Sequence, residues 1–158
     1  MRNIIFFMHT SLDGHVARPN GEINWVKLDD EMFDFVGSMT DQADTALYGR
    51  VTYNMMEYYW PTAGDKPNAT KHDIEHSKWY NKVEKIVLSK TLSEIGLKNT
   101  IVIGDNLSDN INKIKDREGK NILIFGSPGA SNSLLKEGLV DEFWLFINPI
   151  ILGEGTAS

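Results

Sequence analysis

The chain has 158 residues, with 22 acidic and 16 basic side chains and no cysteine. The length predicts one domain spanning residues 1–158. A net charge of −6 argues against a nucleic-acid partner, because nucleic acids are bound by basic faces. The absence of thiols excludes disulfides and cysteine catalysis and is consistent with a reducing compartment.

The first predicted element is a buried strand, Asn3 to Met8. Its apolar run is too short for a signal-peptide core, and no later run could span a membrane, so we expect a cytoplasmic protein. Asp13-Gly14 is a turn signal, and residues 12–25 are expected to form a loop over the strand ends, where α/β sheets bind ligands. Asp13 has two open interpretations, a turn cap or a site residue, and Trp25 is either a core anchor or a site residue.

The next elements are a helix and a short strand. Asp29 or Asp30 can cap a helix with apolar residues at positions 32, 35, 36 and 39, and capping explains these carboxylates better than ligand binding does. A strand from Thr45 to Tyr48 then leads to Gly49-Arg50 and a helix that starts near Val51-Thr52. An Arg fork and a Thr hydroxyl at a helix start form a candidate phosphate site, although a solvated Arg beside a helix cap explains them too.

The middle of the chain carries aromatic residues and a histidine pair. We expect most of the Met, Tyr and Trp side chains at positions 53–60 to be core, and residues 61–70 to form an exposed loop. The segment from His72 to His76 matches the inverted zinc-protease pattern H-x-x-E-H. A polar surface helix is the favoured interpretation, because short patterns arise by chance, and no metal site is predicted.

Further strands are predicted at Lys85 to Leu88 and Thr100 to Ile103. The first ends at Ser89-Lys90, where a hydroxyl group and a cation form another candidate phosphate contact. A helix with apolar residues at positions 107, 111 and 114 follows the second.

The segment from residue 121 to residue 155 is predicted to form a βαβ unit. A strand that ends at Phe125 is followed by the turn Gly126-Ser127-Pro128-Gly129, a helix with two inward leucines at positions 134 and 135, and a strand from Phe143 to Ile147. Small residues before a helix suit phosphate binding. However, the turn is neither G-x-G-x-x-G nor a P-loop, and an ordinary βα turn is favoured on spacing alone. Alternating strands and helices predict an α/β fold with a mostly parallel central sheet.

These motifs together resemble the dihydrofolate-reductase-like superfamily and, more closely, the reductase domain of bifunctional riboflavin-biosynthesis deaminase-reductases and its stand-alone bacterial relatives. The resemblance covers the whole chain, and its most specific part is the C-terminal signature. The matching elements are S-L-D-G at 11–14, G-R-V-T-Y at 49–53, V-L-S-K-T-L at 87–92, G-L-V-D-E at 138–142, N-P-I at 148–150 and L-G-E-G at 152–155.

The resemblance implies a three-layer fold and NADPH-dependent hydride transfer to a small heterocyclic substrate, most like the 5-amino-6-(5-phosphoribosylamino)uracil reductase step of riboflavin biosynthesis. The alternatives are a dihydrofolate or pterin reductase and a non-catalytic nucleotide- or flavin-binding module. The resemblance also implies a homodimer. From it we further expect that the two strands that follow L-G-x-G in relatives are missing here. The implied cofactor residues are Gly49, Arg50, Thr52, Ser89, Lys90, Gly126, Ser127, Gly129 and Ala130. The implied substrate-side residues are Ser11, Leu12, Trp25 and Tyr53, with Asp13 and the weaker candidate Asp30 as catalytic carboxylates.

Overall fold

The computed structural model describes residues 2–17, 29–94, 96–125 and 128–157. The strands in these ranges are β1 (Ile4–Thr10), β2 (His15–Ala17), β3 (Ala43–Gly49), β4 (Glu84–Leu88), β5 (Thr100–Ile103), β6 (Asn121–Phe125), β7 (Glu142–Ile147) and β8 (Thr156–Ala157). The helices are α1 (Asp30–Asp41), α2 (Arg50–Ala63), α3 (Lys71–Lys82), α4 (Leu107–Asp116) and α5 (Pro128–Lys136).

Six strands form one sheet in the order β5-β4-β3-β6-β1-β7, and every neighbouring pair in it is parallel. The predicted strand β6, helix α5 and strand β7 are present. However, β6 and β7 are not neighbours, because β1 lies between them and Phe6 pairs with both Ile124 and Phe143. The N-terminal strand therefore occupies the interior of the sheet, and β7 forms one edge.

Helices cover both faces of the sheet, as the alternation of apolar side chains along β1 requires. Ile4, Phe6 and Met8 pack in one cluster with residues of α4 and α5. Ile5 and Phe7 face the opposite side, where α1, α2 and α3 supply the covering side chains. The predicted three-layer α/β fold with a parallel sheet is thus confirmed.

Two buried cations, Lys115 and Arg2, form ion pairs with partly exposed carboxylates at the strand starts. The Lys115 ammonium group donates to Asp141 Oδ2 at 2.7 Å, and the same oxygen accepts from the Ile4 amide at 2.8 Å. Arg2 is buried as well and donates to Asp44 Oδ1 at 2.6 Å. Because these charges are paired within the protein, they stabilise the amino ends of the strands. A ligand site is therefore expected at the opposite edge, where the carboxyl ends of the strands lie.

Two predictions of buried side chains were wrong. In α2, Met55 is 62% exposed and Tyr58 is 91% exposed, because only one side of the helix faces the sheet. In α5, Leu135 is 46% exposed, whereas Leu134 is fully buried.

Helix α2 continues to residue 63 with Pro61 inside it, although a proline removes one backbone hydrogen bond and crowds the preceding turn. Burial of Ala63 and the bond from the Ser77 hydroxyl group to the Trp60 carbonyl oxygen hold this last turn in place. The strand β2 lies within the predicted loop of residues 12–25 and pairs with β8. None of the helices in the described ranges has the length and apolar character needed to cross a bilayer.

Candidate functional site

The carboxyl ends of the six parallel strands lie along one edge of the sheet, the edge at which open α/β sheets bind ligands. Strands β3 and β4 end side by side, with Gly49 opposite Leu88. Arg50 and Ser89 are the residues that come next on these two strands. The structure therefore brings together two motifs that are about 40 residues apart in the sequence.

Arg50 is the first residue of α2, and Gly49 is the N-cap of that helix. A helix start presents backbone N–H groups and a partial positive charge, both of which favour an anion. The Arg50 side chain is exposed and makes no hydrogen bond or ion pair with any residue that the structure describes. Thr52, in the same turn, is half-buried. This helix start can accept an anionic group without first losing an internal ion pair.

The turn after β4 is held by its own serine. Ser89 Oγ accepts hydrogen bonds from the amides of Thr91 at 3.2 Å and Leu92 at 3.1 Å. Its oxygen also lies 3.4 Å from Thr91 Oγ1, and either hydroxyl group can donate to the other. Ser89 can therefore offer its hydroxyl proton to a ligand when Thr91 is the donor in that contact. Lys90 is exposed and has no ion-pair partner among the described residues. The turn therefore places a second cation beside the start of α2.

A glycine that the sequence analysis did not single out supports this turn. A Cβ atom on Gly104, directly after β5, would lie 3.1 Å from the Ser89 carbonyl oxygen and 3.6 Å from Lys90 Cα. Real Cβ contacts are rarely this short, so the close approach of the two strand ends favours glycine. The sequence could have indicated this contact, because a glycine directly after a strand often marks a close approach of another backbone segment.

The predicted pyrophosphate turn is described only in part. Gly126 and Ser127 lie outside the described residues. Helix α5 begins at Pro128, and a Cβ atom on Gly129 would meet nothing within 4 Å, so this exposed position has open space beside it. Ala130 is 6% exposed and packs in the core, which leaves its backbone as the part that a ligand could contact.

A hydrogen-bonded loop follows β1. The Ser11 hydroxyl group donates to Asp13 Oδ1 at 2.6 Å and accepts from the His15 amide at 3.0 Å. Asp13 also accepts from the backbone amides of Leu152 at 3.2 Å and Gly153 at 2.7 Å. The loop of residues 11–14 is therefore fastened to the segment after β7, two regions that the sequence places about 140 residues apart.

The charge state of Asp13 follows from these contacts. The hydrogen bond from Ser11 is the main reason that the pKa of Asp13 is lowered far below its usual value, and the two backbone amides lower this pKa further. His15 Nδ1 also lies 3.3 Å from Asp13 Oδ2. Asp13 is thus a carboxylate at neutral pH. It can orient a ligand or a loop by accepting hydrogen bonds, but it does not carry a proton to give away.

The other predicted site residues lie elsewhere. Asp30 is exposed in the first turn of α1, where Asp29 is the N-cap and accepts from the Met32 amide at 2.9 Å. Helix capping and the helix dipole account for both carboxylates. Tyr53 is 4% exposed within a core cluster, and its role in substrate binding stays a prediction. Leu12 lies within the loop of residues 11–14 and is 60% exposed. Trp25 lies outside the described residues.

The sequence predicted a polar surface helix around the histidine pair, and the outward face of α3 is indeed polar and exposed, but His76 lies on its inward face. His76 is 8% exposed and packs against the rings of Trp60 and Trp79. The sequence pattern missed this burial, because Trp60 comes from another helix. Across the described part of the chain, no group of three or more His, Cys, Asp or Glu side chains is placed to hold a metal ion.

Asn148 is a further residue that the sequence analysis read only as a strand end and a family motif. Its amide group is buried and donates to the carbonyl oxygens of Thr10 at 3.2 Å and Phe146 at 3.3 Å. These bonds join the carboxyl ends of β1 and β7. Asn148 therefore shapes the same edge of the sheet that carries the loop of residues 11–14.

Comparison with known proteins identifies the family of this arrangement. The family model of the RibD C-terminal domain matches residues 2–158. The uncharacterized protein YyaP of Bacillus subtilis (strain 168) is 37% identical over 158 residues, which cover 98% of this chain and 78% of YyaP.

Solved structures share the fold. A diaminohydroxyphosphoribosylaminopyrimidine deaminase/5-amino-6-(5-phosphoribosylamino)uracil reductase from Thermotoga maritima aligns with a TM-score of 0.66 at 15% identity, covering 99% of this chain and 47% of that protein. Dihydrofolate reductase from Enterococcus faecalis, solved with NADP(H), aligns with a TM-score of 0.61 at 14% identity, covering 98% of this chain and 75% of that protein. These alignments confirm the predicted dihydrofolate-reductase-like fold.

Proposed function

The chain belongs to the RibD C-terminal domain family, and from this membership we propose that it is an NADPH-dependent reductase of a small heterocyclic substrate. The activity proposed is most like the 5-amino-6-(5-phosphoribosylamino)uracil reductase step named for the Thermotoga maritima relative. The observation that carries the proposal is that Arg50 and Lys90, at the ends of adjacent strands, are exposed cations with no ion-pair partner among the described residues.

The residues at this edge suit a ligand with several phosphate groups. Arg50 and Lys90 are proposed to bind the 2′-phosphate, which distinguishes NADPH from NADH, with the hydroxyl groups of Thr52 and Ser89 assisting. The start of α5 is proposed to bind the pyrophosphate through backbone N–H groups, with the open space beside Gly129 leaving room for it. The bound cofactor would supply the hydride, and the protein would supply orientation and electrostatics.

The loop of residues 11–14 is proposed to position the nicotinamide or the substrate. Ser11 and Asp13 form a rigid hydrogen-bonded unit, so Leu12 between them is presented at a defined place. Because Asp13 is ionised at neutral pH, its proposed role is to accept a hydrogen bond and not to donate a proton. Asp30 stays the weaker candidate for a catalytic acid.

We also propose a homodimer formed through β7. This strand is at the edge of the sheet, so one side of its backbone has no strand partner in the described sheet. Its apolar side chains Phe143, Trp144 and Leu145 are each more than 40% exposed. An exposed apolar edge strand is usually covered, here either by a second copy of the chain, as proposed, or by strands such as those that follow L-G-x-G in relatives. Light scattering of the wild-type protein and a Trp144→Lys variant tests this, with a monomeric variant as the expected result.

Turnover tests the proposed reaction. The loss of NADPH absorbance is followed with 5-amino-6-(5-phosphoribosylamino)uracil and, separately, with dihydrofolate as substrate. The wild type is expected to oxidise NADPH with the first substrate. In Arg50→Ala the KM for NADPH is expected to rise while kcat changes little, because Arg50 is proposed to contribute to cofactor binding alone. Faster oxidation with dihydrofolate would favour a pterin reductase. Cofactor binding without oxidation of either substrate would favour a non-catalytic binding module.

A further inference from the structure

A histidine that no motif singled out stands at the edge of the sheet proposed to bind the cofactor. His9 is the second-last residue of β1, and its ring stacks on that of Phe146 in β7, with centroids 4.9 Å apart and planes 24° apart. On the other side of β1, strand β6 ends earlier. Phe125, its last residue, lies opposite Phe7, so His9 extends two residues past it, or about 7 Å. The described sheet therefore has no strand next to His9 on that side.

The chain leaves β1 and β6 towards opposite faces of the sheet. Helix α1, the next helix after β1, covers the face that carries Ile5 and Phe7, whereas α5, which follows β6, packs on the other face. Open α/β sheets bind ligands outside the carboxyl ends of two strands whose connections diverge in this way. His9 has the same parity along β1 as Phe7, so its ring lies on the face that α1 covers, at the end of this pair of strands.

The strand order gives the direction in which a cofactor would lie. Arg50 and Lys90, proposed for the 2′-phosphate, follow β3 and β4, and the start of α5, proposed for the pyrophosphate, follows β6. In the sheet, β6 lies between β3 and β1. A cofactor laid across these ends in one direction continues from β6 to β1, about 5 Å further on. Its nicotinamide end would therefore arrive at His9.

The two ring nitrogens of His9 differ in their surroundings. Nδ1 is inaccessible to solvent and has no hydrogen-bond partner among the described residues. The ring is only partly buried, and Nε2 is its solvent-accessible nitrogen. Burial lowers the pKa of His9, so the ring is neutral at neutral pH and carries one N–H hydrogen. Because a buried N–H group is rarely left without an acceptor, this hydrogen belongs on Nε2, which makes Nε2 a donor to a ligand.

We propose that His9 is a nicotinamide-binding residue, and that its Nε2–H group donates a hydrogen bond to the carboxamide oxygen of the nicotinamide ring. The inference rests on the proposed reductase function and adds a specific contact to it. The stack on Phe146 holds the His9 ring in one orientation before a ligand arrives, which reduces the entropic cost of forming the bond. A bond to the carboxamide fixes the rotation of the nicotinamide ring in the site.

The test compares two ligands that differ in the nicotinamide. NADPH carries this ring, and 2′-phospho-ADP-ribose has the same 2′-phosphate, adenosine and pyrophosphate without it. Binding of each to the full chain is measured by isothermal titration calorimetry. His9→Phe keeps a ring for the stack on Phe146. This variant is expected to lose about three- to tenfold in NADPH affinity, as for one neutral hydrogen bond, and to bind 2′-phospho-ADP-ribose as the wild type does.

Two further variants make the result specific. His9→Gln retains an N–H donor and is expected to recover part of the NADPH affinity that His9→Phe loses. His72→Phe makes the same substitution at another partly buried histidine, whose ring stacks on Phe33 away from the strand ends, and is expected to behave like the wild type.

Nuclear magnetic resonance of the imidazole nitrogens tests the contact in the wild type itself. The chain has four histidines, and the signals of His9 are those that disappear in His9→Gln. Without ligand, His9 is expected to carry its hydrogen on Nε2. The Nε2 signal is expected to shift with NADPH and to stay unchanged with 2′-phospho-ADP-ribose. This comparison decides the matter if His9→Phe does not fold.

Three results would overturn the inference: unchanged NADPH affinity in His9→Phe, an equal loss for both ligands, or a hydrogen on Nδ1 in the wild type. If the wild type binds NADPH and one of these results is found, His9 does not bind the nicotinamide and the reductase proposal stands. If neither ligand binds the wild type, the reductase proposal is wrong and the inference fails with it.

Discussion

Replacing His76 with Phe should make the stability of the protein less sensitive to mild acid. In the folded protein the pKa of His76 is lowered from 6.5 to about 3, mainly by burial. An unfolded chain with a pKa near 6.5 therefore takes up a proton that the folded chain rejects. The stabilisation is fully present above the unfolded pKa and is lost as the pH falls from about 6.5 towards about 3. From pH 7.5 to pH 5.0 this linkage removes about 2 kcal/mol of unfolding free energy.

Urea unfolding at pH 7.5 and pH 5.0, followed by tryptophan fluorescence, measures the effect. The wild type should lose about 2 kcal/mol more than His76→Phe between the two pH values. The other histidines with lowered pKa, His9 and His72, are present in both proteins, so the difference reports mainly on His76. An equal loss in the two proteins would refute the claim that His76 is buried and neutral in the fold.

Two further predictions concern local structure. Leu134→Ala should destabilise the protein by about 2–5 kcal/mol, because it opens a cavity in the core. Leu135→Ala, at an exposed position of the same helix, should change stability by less than about 1 kcal/mol. Equal losses of stability in thermal unfolding would contradict the orientation of α5. Asp13→Asn should speed amide hydrogen exchange at Gly153, because the bond of 2.7 Å to the carboxylate weakens; unchanged exchange would show that Asp13 does not fasten the loop.

Local patterns predicted most of the elements. The apolar runs that became β4, β5 and β6 are short and bounded by polar or glycine residues, and the structure places these strands within one residue of the predicted bounds. The strand order was not available from these patterns. Nothing local to residues 4–10 says that β1 inserts between β6 and β7, because strand pairing depends on contacts more than 100 residues apart in the sequence.

The candidate site was predictable to the extent that it depends on strand ends. Arg50 and Lys90 follow β3 and β4, and a parallel sheet brings such positions to one edge. The burial of His76 was not predictable, since it depends on Trp60, which reaches it from α2. Two of the three hydrogen bonds that Asp13 accepts were equally hidden, because their donors, the amides of Leu152 and Gly153, follow β7.

The proposed function depends most directly on the preference for NADPH over NADH, and the measurement that tests it is a fluorescence titration of both cofactors against the wild type, Arg50→Ala and Lys90→Ala. Lys113→Ala removes an exposed lysine on α4 and is the control. We expect the wild type and Lys113→Ala to prefer NADPH, and each of the two site variants to lose about 10- to 100-fold in NADPH affinity with little change for NADH. Equal affinity of the wild type for the two cofactors, or a preference that survives in both site variants, would contradict the account.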